Sequence, residues 1–132
     1  MNAQAYSSIF ILTDQNVYPF WLPEVCHWLK CPQAIEIVIK DGEEQKNLQT
    51  VQRIWKTLMK HHADRHSLFV NLGGGVICDL GGFAASTFMR GIDFINVPTT
   101  LMAQCDAAIG GKNGLDFGGL KNQIGLFRPA DA

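Results

Sequence analysis

Short apolar runs alternate along this chain with longer stretches in which apolar residues recur every three or four positions. Ser8 to Leu12 (SIFIL) is the first run, closed by the turn formers Thr13, Asp14, Gln15 and Asn16, and it predicts a strand. Val17, Phe20, Trp21, Val25, Trp28 and Leu29 then keep a helical spacing that Pro19 and Pro23 interrupt early. Ala34 to Ile39 predicts a second strand, ended by Asp41-Gly42, and Leu48, Val51, Ile54, Trp55, Leu58 and Met59 place an amphipathic helix from Asn47 to about His62. Leu68 to Leu72 predicts a third strand that runs directly into Gly73-Gly74-Gly75. The segment from Val76 to Phe88, apolar and rich in small residues, suits a helix packed closely on a sheet. A fourth strand is expected over Asp93 to Val97, ended by Pro98-Thr99-Thr100, and a short helix over Leu101 to Ala108. After Ile109 the chain turns glycine-rich and no element is assigned. Arg128 to Ala132 reads as a linker-like tail, as if the domain were cut from something longer. Strands alternating with helices give the α/β class, a parallel sheet covered by helices on both faces.

Composition narrows this to a single globular domain: 132 residues, 47% of them apolar. A net charge of -1 argues against a nucleic-acid or membrane surface. No run approaches the roughly 18 to 20 apolar residues of a membrane span. The start, Met1-Asn2-Ala3-Gln4, lacks the features of a secretory signal, which makes a cytoplasmic protein the expectation. Cys26, Cys31, Cys78 and Cys105 form no C-x-x-C pair and are expected to be buried free thiols.

Four groups of residues can carry chemistry. Gly73-Gly74-Gly75 joins a strand to a helix whose first turn holds Asp79. Free amides and the helix dipole there favour a phosphate, although Cys78 takes the third glycine position of a dinucleotide fingerprint. A plain glycine turn that lets helix and strand pack closely is the competing reading. Asp41, Gly42, Glu43, Glu44, Gln45 and Lys46 stand at a strand end, where carboxylates accept bonds from a ribose or merely charge a helix start. Thr99 and Thr100 either bond a nucleotide or cap the next helix. Arg90, Asp106, Lys112, Lys121 and Asn122, interleaved with Gly110-Gly111 and Gly118-Gly119, suit a phosphorylated, hydroxyl-rich ligand. His61, His62 and His66 read as a solvated helix end, although His62 and His66 have the spacing of a zinc pair. Cys78 and Cys105, with no histidine nearby in sequence, read as packing thiols and not as nucleophiles.

Taken in order, these blocks resemble the 3-dehydroquinate synthase family. Gly73 to Phe83, Met89-Arg90-Gly91, Val97 to Asp106, Gly110-Gly111-Lys112 and Gly118 to Gly125 (GGLKNQIG) carry the likeness, with Asp41 to Lys46 upstream. The likeness is dense from about residue 41 to 127. It implies an N-terminal Rossmann-like NAD domain followed by a helical domain that holds a divalent metal, zinc or cobalt, on one glutamate and two histidines. No metal ligand is expected in this chain, so alone it is expected to be inactive. Asp14, Asn16, Asp41, Gly42, Glu43, Glu44, Gln45, Lys46, Gly74, Gly75, Val76, Asp79, Thr99, Thr100, Lys112 and Lys121 would line the NAD site. Arg90, Asp106, Lys112 and Asn122 would touch the substrate, a seven-carbon phosphorylated keto acid, with Arg90 reaching the site of the neighbouring subunit of a homodimer. The implied activity is that of a lyase: conversion of 3-deoxy-D-arabino-heptulosonate 7-phosphate to 3-dehydroquinate and phosphate, in the shikimate route to aromatic amino acids. Cys78, Asn113 and Asp116 depart from the residues common in that family. Another sugar-phosphate cyclase, a polyol dehydrogenase of glycerol dehydrogenase type and a non-catalytic NAD-binding module remain alternatives.

Overall fold

The computed structural model describes residues 2–132. Four parallel strands, β1 (Ile9–Asp14), β2 (Ile35–Ile39), β3 (Leu68–Gly73) and β4 (Asp93–Pro98), form one sheet in the order β2-β1-β3-β4. Three helices link them: α1 (Tyr18–Leu29), α2 (Leu48–Lys60) and α3 (Gly75–Thr87). Handedness sorts these helices between the two faces. The step from β1 to β2 runs one way along the sheet, while the steps to β3 and β4 run the other way. Right-handed crossovers must therefore place α1 on one face and α2 with α3 on the opposite face.

The packing shows this division. Phe10, Leu12, Phe69 and Phe94 bury against Val51, Ile54 and Leu58 of α2 and Ile77 and Leu80 of α3. Ile9, Ile11, Leu68, Val70 and Leu72 face Leu22, Val25 and Leu29 of α1. Successive strand residues thus serve opposite faces, and both are apolar because both are covered. The expected α/β sheet with helices on both faces is the fold observed. Strand β1 runs two residues further than its apolar run, because Thr13 and Asp14 still pair with Val38 and Ile39. Pro19 falls in the first turn of α1, where no amide is needed, and Pro23 is accommodated inside the helix.

Some expectations need correction. The glycine-rich stretch is a β-hairpin, β5 (Lys112–Phe117) and β6 (Leu120–Phe127), packed against α3. Gly118 and Gly119 have φ of 62° and 77°, and positive φ at both central residues is what a two-residue hairpin turn of the primed type requires. The tail is not a free linker. Asp131 donates its amide to the Phe94 carbonyl at 2.8 Å and accepts the Phe94 amide on its carboxylate at 2.9 Å, and Arg128 lies over the Phe94 ring. The short helix α4 covers only Leu101–Cys105. His62 has left the helix, with φ of 57°, so His62 and His66 do not share a helical face. Cys31 and Cys78 are buried, but Cys105 is exposed and Cys26 intermediate; all four are free. No helix among the described residues is long and apolar enough to cross a membrane.

Candidate functional site at the carboxyl edge of the sheet

In a sheet ordered β2-β1-β3-β4 the connections leave β1 and β3 in opposite directions, opening a crevice beyond their carboxyl ends. Asp14 ends β1 and Gly73 ends β3. Gly74 caps α3 with its backbone alone, in extended conformation and without a side-chain bond to the first turn. The first amides of this thirteen-residue helix therefore point into the crevice without a side-chain acceptor, at the positive end of the helix dipole. The turn admits close approach. A Cβ on Gly75 would meet only Ala107, at 3.9 Å, whereas one on Gly74 would press on Thr100 Cγ2 at 3.2 Å. Thr99 closes the wall by donating its amide to the Gly73 carbonyl at 2.9 Å.

Several expected cofactor residues border this turn. Asp14 accepts the amides of Asn16 and Val17 at 2.9 and 3.0 Å and so closes the turn that leads into α1, and Asn16 is exposed beside it. Asp41 accepts a bond from the Gln15 side-chain amide at 2.9 Å, which ties the end of β2 to the end of β1. Gly42 has φ of 111°, and Glu43, Glu44 and Gln45 form a single 3₁₀ turn that leads into Lys46. Thr100 caps α4 through the Ala103 amide at 3.1 Å, so one of its two proposed roles is observed.

Lys46 and Asp79 form the electrostatic centre. The Lys46 ammonium lies 2.8 Å from Asp79 Oδ2, 2.6 Å from Asn122 Oδ1 and 3.8 Å from Glu43. Burial pushes the Asp79 carboxyl above its ordinary value, Lys46 pulls it partly back, and the charges of Asp106 and Asp116 raise it further. Burial also pushes the Cys78 thiol up to about 12, with a smaller push from Asp79. Cys78 is buried, so its side chain does not narrow the glycine turn.

A cleft of about 540 Å³ opens between α3, the loop after α4 and the hairpin, lined by Asp79, Asp106, Lys112 and Asn122 among others. Three of the four expected substrate residues are thus brought together. Arg90 is not: it follows the far end of α3, about 20 Å of helix from the glycine turn, at the amino edge of the sheet. There Met89, Arg90 and Gly91 all have positive φ (49°, 69° and 113°), and the Arg90 side chain is exposed. Lys121 is exposed on β6 beside Asn122, outside the cleft lining. Among the described residues, no three or more His, Cys, Asp or Glu side chains converge as a metal site.

Sequence reasoning missed how the hairpin reaches the site. The Asp116 amide donates to the Lys46 carbonyl, and its carboxylate accepts the Asn122 amide, both at 2.9 Å. Asn113 is buried against Gly82 and donates to the Arg128 carbonyl at 2.8 Å. The Phe-Gly-Gly-Leu sequence at 117–120 was the available signal for a hairpin.

Comparison with known proteins follows this geometry. The family model described as 3-dehydroquinate synthase N-terminal matches residues 36–132. A 3-dehydroquinate synthase of Parabacteroides distasonis is 46% identical over 129 residues, 98% of this chain and 36% of that protein. One of Pyrococcus furiosus is 51% identical over 119 residues, 90% of this chain and 35% of that protein. The chain therefore spans about a third of the length of the curated relatives it matches. A crystal structure of 2-deoxy-scyllo-inosose synthase with carbaglucose-6-phosphate, NAD+ and Co2+ superposes with a TM-score of 0.88 at 26% identity, over 98% of this chain and 36% of that one. ValA, a 2-epi-5-epi-valiolone synthase from Streptomyces hygroscopicus with NAD+ and Zn2+ bound, gives 0.84 at 30% identity, over 97% and 37%. An iron-containing alcohol dehydrogenase of Thermotoga maritima, at 0.73 and 16% identity over 97% and 40%, shows the shared fold alone.

Proposed function

The chain belongs to the family of the 3-dehydroquinate synthase N-terminal domain, and from that premise we propose that it is the NAD-binding part of a 3-dehydroquinate synthase. The observation that carries the reading is the glycine turn at the carboxyl edge, where uncapped helix amides and an open Gly75 leave room and donors for a dinucleotide pyrophosphate. Gly74, Gly75 and Val76 would hold it with their amides. Asp14, Asn16 and the Asp41 to Gln45 turn lie on the β1 and β2 side of the crevice, where a ribose would find carboxylate and amide acceptors. NAD so bound would supply reversible hydride transfer. The residues of this chain would orient it, exclude water and hold a phosphorylated keto acid in the adjoining cleft through Lys112 and Asn122.

The Lys46 ammonium, already engaged with Asp79 and Asn122, would act on the cofactor through these partners more than by direct contact. Thr99 and Thr100 would close the wall behind the turn, with Lys121 at its rim. The described residues offer no donor set for the divalent metal named in the related structures, and no step through a metal is assigned to them. Arg90 stands a helix length from its own cleft, exposed and on a backbone held in the left-handed region, which supports service in a neighbouring subunit of a homodimer.

Phosphate release by the whole protein tests the reading. With NAD present, 3-deoxy-D-arabino-heptulosonate 7-phosphate should lose phosphate, while glucose 6-phosphate should not. The opposite selectivity would place the protein with the inosose-forming cyclases.

A further inference from the structure

Lys46 is buried, and it grips Asn122 twice. Its ammonium donates to Asn122 Oδ1 at 2.6 Å. Its carbonyl accepts the Asp116 amide, and Asp116 Oδ1 in turn accepts the Asn122 amide, each at 2.9 Å. The result is a closed ring of three residues that also fixes Asn122 at a left-handed φ of 54°. An ammonium has three donors and no acceptor, so only the oxygen of the Asn122 amide can face it. The other end of that amide, Nδ2 with both its hydrogens, has no partner among the described residues, and Asn122 lines the cleft. The carboxylates of Asp79 and Asp106 on the same lining supply negative charge, so donors there have to come from elsewhere.

We propose that Lys46 is a positioning residue that sets the polarity of the cleft wall. It holds Asn122 so that a ligand meets hydrogen-bond donors and never the amide oxygen, which selects an anionic oxygen, phosphate or carboxylate, at that point. Free to rotate, the same amide would accept a hydroxyl as readily as donate to an oxyanion; held, it can only donate, which favours the stronger, charge-assisted bond to an oxyanion. The inference rests on the reading of this cleft as the seat of a phosphorylated substrate.

Inorganic phosphate titrated into the 15N-labelled chain tests it, with the Asn122 side-chain amide and the backbone amides of Asp106 and Lys112 as reporters. In the wild-type chain all three should shift together. The comparison variant is K46M/D79N, which removes both charges and leaves neither orphaned. In it, Lys112 should still respond, at about tenfold weaker affinity, while the Asn122 side chain no longer shifts. Asn122→Asp keeps the clasp on Lys46 but turns an acceptor to the cleft, and it should abolish the response. Shifts at Lys112 and Asp106 without Asn122 in the wild-type chain would overturn the positioning role and leave the cleft reading intact, as would unchanged phosphate binding in either variant. No shift at any of the three would overturn the cleft reading itself.

Discussion

Asp79 shows how one carboxylate carries both the electrostatic tension and the order of this site. Its side chain is 22% exposed, and burial raises its pKa despite the ammonium 2.8 Å away. A carboxyl that binds its proton more tightly when folded favours folding while protonated, and that contribution is lost as pH rises from its ordinary 3.8 through the raised folded value. Followed by thermal unfolding as pH rises above 3.8, Asp79→Asn should therefore gain stability relative to the wild-type chain, and a constant difference would contradict the raised value. Lys46→Met alone leaves the carboxylate without its counter-charge and should cost on the order of 2–4 kcal/mol near neutral pH, with K46M/D79N recovering most of it. Equal stability of K46M and the double variant would show that the pair is not coupled. Both residues were legible in the sequence as site candidates, but their pairing was not. Nothing in local spacing says that Lys46, at the end of a 3₁₀ turn after β2, meets Asp79, which lies just past the first turn of α3.

At the scale of elements, the central strands β1 and β3 are legible because both of their faces are covered and they are almost continuously apolar, while the edge strand β2 keeps Ile35, Ile37 and Ile39 inward and leaves Glu36 and Val38 exposed. The hairpin is not legible in this way, because it packs on α3 by one side only. Asn113 and Leu115 are its buried residues, Ile124 and Leu126 are half-buried against the core, and the rest of β5 and β6 is polar, glycine or exposed. The docked tail was missed for a similar reason, since its pairing at the edge of β4 rests on two residues, Asp131 on Phe94 and the Ala132 carbonyl on the Asn96 amide, with no apolar run to announce it. Small residues in α3 predict close packing, and the structure names the partners. A Cβ on Gly81 would run into the Asn71 amide of β3, and one on Gly82 into the Asn113 amide of β5. Alanine normally gains about 1 kcal/mol over glycine inside a helix. Here Gly81→Ala should instead destabilise by about 1–3 kcal/mol in denaturant unfolding, because Asn71 is fully buried and cannot give way. A stabilised Gly81→Ala variant would contradict the packing.

The whole molecule has two ends of different chemistry. The carboxyl edge gathers the glycine turn, the Lys46–Asp79 pair and the cleft, while the amino edge carries Arg90 on its left-handed turn. The family resemblance drawn from ordered glycine blocks was sound, and the matches to curated synthases agree with it. The distance between Arg90 and the cleft became visible only once α3 was seen to run the depth of the sheet. Titration of NAD into the labelled 132-residue chain, followed residue by residue by NMR, addresses the central assignment most directly. Binding in the micromolar to millimolar range is expected, with the largest shifts at Gly74, Gly75, Asp79 and Thr99 around the uncapped start of α3. Shifts confined to the His61 to His66 segment or to the amino-edge groove lined by Tyr6 and Cys31, or none at all, would contradict it.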